Sequence, residues 1–328
     1  MKKFRSLAAF IVICSLLLVT AQASSPIHPK IIFGDISSDF AQDADRLIDT
    51  DESEQDQIDG ENNWFSAIEG FFSMTALEET AASALPDAAE QEDEEIRTIF
   101  IEDTTFVSVR DFIETLHPDA VFSYKNGMVS VAHTDMYMEL HRGKIYCYAN
   151  GRMLPVSDPC FEMEDTFYAP IRLLAQLYSF DVEWDEESAT VTLTQNDEEL
   201  IPGAEFYDQD DYHLLARLIN AESGNQSLEG KIAVGNVIMN RIADSRFPDT
   251  VAGVIYDRSC GVQFTTAYNG RLNKTPNADS YIAAKLVLEG YSVADDCLYF
   301  LNPSIARSSW VIRNRPYVMS IGDHAFFS

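Results

Sequence analysis

Between residues 99 and 195, apolar and polar side chains alternate in short runs rich in β-branched and aromatic residues, interrupted by Asn126-Gly127, Arg142-Gly143 and Asn150-Gly151. A period of two puts alternate side chains on one face of a strand, and the Gly-containing pairs supply the positive φ of tight hairpins. The pattern repeats. Thr105-Phe106-Val107-Ser108-Val109-Arg110 opens a helix-like stretch and then strands about the Asn126-Gly127 turn. Thr166-Phe167-Tyr168-Ala169-Pro170-Ile171-Arg172 opens another, followed by Val182-Glu183-Trp184 and Ala189-Thr190-Val191-Thr192-Leu193. Each unit reads as a helix followed by a hairpin.

From Asp211 the spacing becomes helical. Leu214, Leu215, Leu218 and Ile219 form one stripe that runs into Ala221-Glu222, with Ser223 and Gly224 as the stop. A second helix follows a Ser227 cap, buries Ile232, Ala233, Val237 and Ile238, and ends near Arg241. A loop-rich stretch runs from Phe247-Pro248 to Pro276. A third helix spans about Ala278 to Glu289 with Gly290 as its stop, and Leu298-Tyr299-Phe300 and Tyr317 to Ile321 read as short strands. Helices and strands together give an α+β class.

The start of the chain has Lys2, Lys3 and Arg5, an apolar run from Leu7 through Val19, and then Ala21-Gln22-Ala23, the pattern of a cleaved secretory signal over residues 1–23. The run is short for a membrane span, so an uncleaved anchor is the lesser alternative, and Cys14 within it reads as filler. Residues 24–98 are dominated by Asp, Glu, Ser, Ala and Gln, a composition too polar to bury a core and expected to be a disordered acidic linker. One island, Trp64, Phe65, Ile68, Phe71 and Phe72, falls on one side of a short helix that either docks elsewhere or forms only transiently. Residues 196–210 read as a second, short acidic linker.

The formal charge of -30 argues against nucleic acid as a partner, since phosphate binding needs clustered Lys and Arg. That charge is not evenly spread. Residues 24–104 hold 22 acids and 3 bases, residues 105–210 hold 20 and 6, and residues 211–328 hold 11 and 11. The C-terminal module is therefore neutral. Beyond the signal, Cys147, Cys160, Cys260 and Cys297 are either locally paired, Cys147 with Cys160 and Cys260 with Cys297, or four buried thiols. None has the spacing of a metal site.

Glu222 is the residue that physical chemistry singles out. A carboxylate ending a buried helix meets the negative end of the helix dipole and partial desolvation, and both favour the protonated form that a general acid needs. The alternative is an ordinary surface glutamate.

Two resemblances carry more. Asn150-Gly151-Arg152, Tyr168-Ala169-Pro170-Ile171-Arg172 and Val182-Glu183-Trp184-Asp185 resemble the copper amine oxidase N-terminal-like stalk domain over residues 99–195. That implies a spacer or wall-associated binding module without a copper centre, and His117, His133 and His141 are scattered over strand and loop positions. In residues 211–328, Ala221-Glu222-Ser223 is followed by Glu229 through Arg241, Phe247-Pro248-Asp249-Thr250, Gly261-Val262-Gln263-Phe264, Tyr299-Phe300-Asn302-Pro303 and Ile321-Gly322-Asp323-His324-Ala325-Phe326. This ordered set resembles the cell wall hydrolase family of spore-cortex-lytic enzymes (SleB type). The resemblance implies a lysozyme-like, lytic-transglycosylase-related catalytic domain behind a stalk of two helix-hairpin units, with Glu222 as the catalytic acid. Ser223, Gly224 and Asn225 depart from the more usual Ala, Arg and Gly, so any role of that Arg is lost or moved.

The activity so implied is cleavage of the β-1,4 bond between N-acetylmuramic acid and N-acetylglucosamine in peptidoglycan, by a secreted, wall- or spore-associated enzyme without cofactor. Asp257 and Asp323 are possible second carboxylates. Gln263 and Phe264 either line the sugar cleft or anchor a loop; Trp310 stacks on a sugar or belongs to the core; Asn302 and His324 line the site or, for His324, serve the fold. The competing readings are a zinc-dependent N-acetylmuramoyl-L-alanine amidase, for which His213 and His324 offer no recognised metal spacing, and a non-catalytic wall-binding protein.

Overall fold

Asn126 and Gly127 take positive φ of 54° and 76°, as a type I′ turn requires, and Lys125 closes the hairpin opposite Met128. In the computed structural model, residues 30–33, 96–134, 136–259, 261–306 and 310–328 are described, all within one compact unit. The expected signal segment and the Trp64–Phe72 island lie outside the described residues.

The middle region contains β1 (Lys30–Phe33), β2 (Thr98–Ile101), β3 (Thr104–Ser108), α1 (Val109–Leu116), β4 (Val121–Lys125), β5 (Met128–His133), β6 (Met136–His141), β7 (Tyr146–Ala149), β8 (Arg152–Pro155), β9 (Phe161–Met163), β10 (Thr166–Pro170), α2 (Ile171–Leu177), β11 (Phe180–Asp185) and β12 (Thr190–Gln195). The repeat is visible as β3-α1-β4-β5 and β10-α2-β11-β12. The equivalent strands β3 and β10 pair antiparallel, Ala169 opposite Val107, within the sheet β2-β3-β10-β9. Ser108 caps α1 by accepting from the Asp111 amide. The first hairpin grows into the five-stranded sheet β4-β5-β6-β7-β8.

The second hairpin gains β1, which lies parallel to β12 with Phe33 opposite Leu193. The Phe33 ring lies 5.8 Å from Phe112 and 5.7 Å from Phe180. Residues 30–33 thus belong to the middle domain rather than to an acidic linker. They are an apolar run inside polar sequence, and the packing partners that recruit them come from residues far along the chain. The histidines also need correction. His117 and His133 are not scattered but stacked, with ring centroids 3.9 Å apart, and the Tyr178 hydroxyl lies 2.8 Å from His133 Nε2. Strand pairing brings together what the sequence separates. Cys147, Cys160 and Cys297 are buried free thiols, burial pushing Cys160 up to about 12, while Cys260 is outside the described residues.

At its β7-β8 end the five-stranded sheet is buried on both faces, whereas β4 is largely exposed. Cys147 and Leu154 point into the core of the repeat units, while their neighbours Tyr146 and Met153 join the core of the C-terminal module. The connection supplies the rest of the joint. Residues 196–210, expected to be an acidic linker, include α3 (Gly203–Phe206) and the buried Tyr207. A Cβ on Gly203 would sit 2.3 Å from the Gly151 carbonyl oxygen, so only glycine allows this approach.

The module consists of α4 (Gln209–Ser223), α5 (Leu228–Ala243), α6 (Val251–Ile255), α7 (Ala278–Leu288), β13 (Tyr299–Leu301), α8 (Trp310–Asn314), β14 (Tyr317–Ile321) and β15 (His324–Phe327). Leu215, Leu218 and Ile219 of α4 are fully buried with Ile232, Val237 and Ile238 of α5 and Leu286 of α7. Strand β15 is central in the sheet β13-β15-β14 and is buried at every position, so its sequence shows no alternation that would mark it as a strand.

At the joint, Arg152 of β8 makes a bidentate pair with Glu289 at the end of α7, Nε to Oε1 at 2.9 Å and Nη2 to Oε2 at 2.5 Å, with side chains 12% and 4% exposed. The Tyr207 hydroxyl donates to the same carboxylate and accepts from the Met153 amide, and Lys285 Nζ donates to the Gly151 carbonyl. Removing one partner leaves a buried charge unmatched. Arg152→Ala is therefore expected to cost about 3 kcal/mol and lower the thermal midpoint by several degrees, with new protease sensitivity between residues 196 and 210.

Burial lowers the His117 pKa from its ordinary value of 6.5, against a weaker upward pull from Asp119. The folded state therefore holds this proton less tightly than the unfolded chain, so the stability it contributes is present above about 6.5 and declines as pH falls through that value. A midpoint that drops between pH 7 and 5, with the drop reduced in His117→Gln, is the expected result by calorimetry.

Candidate active site

Helix α4 starts at an Asp208 cap that accepts from the Asp211 amide and ends with the Ser223 hydroxyl donating to the Ile219 carbonyl at 2.7 Å. Its apolar stripe is fixed in the module core, so the last turn carries Glu222 to a defined place in the wall of a cleft. Thr266, buried in the 3-10 turn Thr265–Tyr268, donates its hydroxyl to Glu222 Oε1 at 2.5 Å. Burial raises the Glu222 pKa above the ordinary glutamate value; the Thr266 hydrogen bond and the Arg271 charge oppose that shift without cancelling it. The helix C-terminus adds to the bias toward the protonated acid.

The turn after Glu222 is held from three sides. Asn277, the cap of α7, donates Nδ2 to the Gly224 carbonyl at 3.0 Å, and its amide donates to Asn220 Oδ1. Lys231 of α5, 2% exposed, donates Nζ to the Gln226 carbonyl at 2.5 Å. The Gln226 side chain accepts from the Asp323 amide at 3.0 Å and donates to Asp323 Oδ2 at 3.0 Å. Gly322 makes this possible, because with its φ of 56° a Cβ would lie 2.3 Å from Gln226 Oε1.

The fold brings Glu222, Gln263, Phe264, Asn302, Asp323 and His324 into one cleft, although they span more than a hundred positions of sequence. Phe264 is both a wall and a core residue, 3% exposed. Gln263 donates to the Gly261 carbonyl at 3.3 Å, and Asn302 Oδ1 accepts from the Ser304 amide. His324 is buried between the cleft and the rings of Phe300 and Phe326, and burial lowers its pKa.

Trp310 is not among the residues that line the cleft; it starts α8 and is 48% exposed, so neither core burial nor the cleft wall describes it. Asp257 is also outside, on the loop after α6, where the Ser259 amide and hydroxyl hold it. His213 packs against Tyr212 and Tyr281, and among the described residues no group of three His, Cys, Asp or Glu could hold a metal ion. Thr266, Gln226, Lys231, Arg241 and Arg271 are site residues that sequence patterning alone did not reveal. Lys231 and Arg241 did carry one signal, a cation within an apolar helix.

Comparison with known proteins supports the two resemblances. Residues 225–327 match the family described as Cell Wall Hydrolase, and residues 90–193 match the Copper amine oxidase N-terminal domain. The chain thus carries a cell wall hydrolase domain at its C-terminus and a copper amine oxidase N-terminal domain in the middle. The first match begins just after Glu222 and takes in Gln263, Phe264, Asn302, Trp310 and His324. A Bacillus cereus protein named spore cortex-lytic enzyme is 36% identical over 120 residues, 37% of this chain and 45% of its own length. The Bacillus subtilis protein of the same name is 33% identical over 126 residues, 38% of this chain and 39% of its own length. The chain therefore spans less than half the length of these relatives. The solved catalytic domain of the germination-specific lytic transglycosylase SleB from Bacillus anthracis is 34% identical, with 39% of this chain covering 100% of that one at a TM-score of 0.35.

Thr266→Val keeps the buried volume but removes a hydrogen bond that favours ionised Glu222, so the Glu222 pKa is expected to rise further. If the protonated form starts the reaction, the falling limb of a pH–activity profile on purified peptidoglycan moves to higher pH. An unmoved limb would separate that limb from Glu222.

Proposed function

We propose that the C-terminal module cleaves peptidoglycan glycan strands at the β-1,4 bond between N-acetylmuramic acid and N-acetylglucosamine, as a lytic transglycosylase acting on spore cortex or vegetative wall. One observation carries the reading. Glu222 is a carboxyl group biased toward its protonated form, fixed at the end of a core helix and opening into a cleft. The names of the matched relatives, spore cortex-lytic enzymes, supply the substrate class.

In this mechanism Glu222 donates its proton to the glycosidic oxygen as the bond to C1 breaks. The resulting carboxylate takes the proton of the muramoyl 6-hydroxyl while that oxygen closes on C1, giving a 1,6-anhydro end. Thr266 steadies the carboxylate in the second half of the cycle and Arg271 adds a favourable charge. One carboxyl group suffices, whereas attack by water usually calls for a second that activates it or forms a covalent intermediate. Asp323, the other carboxylate of the cleft, is engaged by Gln226. The basic, apolar start of the chain fits export to the wall, and the middle domain, joined through Arg152 and Glu289, acts as a spacer fixed to the enzyme.

Glu222→Gln is expected to lower the rate on purified sacculi or cortex by at least about 10²-fold while leaving the thermal midpoint within a few degrees. Mass spectrometry of the parent's products should give anhydromuramic ends. Reducing ends would replace the transglycosylase step with hydrolysis, and free peptides would overturn glycan cleavage altogether.

A further inference from the structure

Arg241 is 4% exposed near the end of α5 and lines the same cleft as Glu222. Its Nε donates to the Leu298 carbonyl at 2.8 Å, and its guanidinium carbon lies 5.0 Å from the ring centre of Phe247, 5.3 Å from Phe264 and 5.4 Å from Tyr299. Nη1 is buried without a hydrogen-bond partner, and Arg241 enters no ion pair among the described residues. His324, 7% exposed, lines the cleft as well, and its Nδ1 is likewise buried without a partner.

The carboxylates of the cleft do not answer this need. Glu222 accepts from Thr266, and Asp323 is engaged by Gln226. Burial holds the guanidinium down at about 10, and Asp257 acts on it only at a distance, with no hydrogen bond or ion pair to Arg241 among the described residues. A buried donor without an acceptor is costly, and more so when charged, so its persistence at the wall of a cleft points to an acceptor brought by a ligand. Aromatic walls keep water from competing, and a guanidinium fork suits a carboxylate or an amide oxygen.

We propose that Arg241, with His324 in the same cleft, forms a subsite that binds an acyl oxygen of the muramoyl residue, either its acetamido carbonyl or its lactyl carboxyl. The subsite rests on the glycan-cleaving reading of the cleft and adds a recognition element distinct from Glu222. A structural cation in an aromatic box is the rival account, since Nε already ties α5 to the start of β13.

The test uses the full chain carrying Glu222→Gln, so that binding is read without cleavage. Calorimetry compares three muramoyl tetrasaccharides: intact, with the muramoyl acetamido group replaced by hydroxyl, and with the muramoyl carboxyl reduced to an alcohol. One altered ligand is expected to bind at least about tenfold more weakly than the intact one, and which one identifies the oxygen. Adding Arg241→Lys should shrink that gap to within about twofold, and His324→Gln should narrow it. Equal binding of all three ligands, or an undiminished gap in a folded Arg241→Lys protein, overturns the subsite. If Arg241→Lys fails to fold, His324→Gln carries the comparison, and an undiminished gap in that folded variant overturns the subsite. A parent that releases no glycan products while the ligand ranking holds overturns the cleavage reading alone; cleavage without the ranking overturns the subsite alone.

Discussion

Keeping the Glu222 carboxyl out of water is the constraint on which the site depends. A glutamate in solvent would be ionised near neutral pH and could not give a proton to a leaving oxygen. Here the apolar stripe of α4 is anchored in the module core, and its last turn has no freedom to swing the carboxyl outward. Thr266 sets a limit in the other direction, since its hydrogen bond keeps the ionised form accessible. The proposed mechanism, in which this acid becomes a base in the next step, needs both forces.

Helix α7 connects that site to the rest of the chain. At its start Asn277 holds the turn after Glu222, and at its end Glu289 pairs with Arg152 of the middle domain. The two attachments are the caps of this helix, Asn277 and Glu289, and lie roughly 18 Å apart along its axis. The middle domain consequently does not hang from a loose tether. Strands β7 and β8 of its five-stranded sheet have one face in each core, and the segment at residues 203–207 is packed into the joint. The charge follows the same division: the acidic excess lies before residue 211, and the module that bears the cleft is balanced.

Much of this was legible in the residues. The two helix-hairpin units, the Ser227 cap and the end of α4 at Ser223 agree with local patterns, and Gln263, Phe264, Asn302 and His324 lie in one cleft with Glu222. Strand β15 was not legible, because complete burial erases alternation. Neither was β1, whose role depends on Phe112 and Phe180. Trp310 shows the opposite failure, an aromatic residue in a matched region that the fold leaves outside the cleft.

The ends and apolar faces of the long helices α4, α5 and α7, and the carboxylate that closes a buried stripe at position 222, follow from the order of residues alone. Those properties are set by neighbours within a few residues, through capping, dihedral preference and period. The clasp of Gln226 on Asp323, the stacking of His117 on His133, and the burial of Arg241 beside three rings, with no ion pair among the described residues, come from tertiary packing. Each of these depends on which distant surfaces come together, and desolvation, the force that gives Glu222 and Arg241 their chemistry, acts only once the core has closed around them.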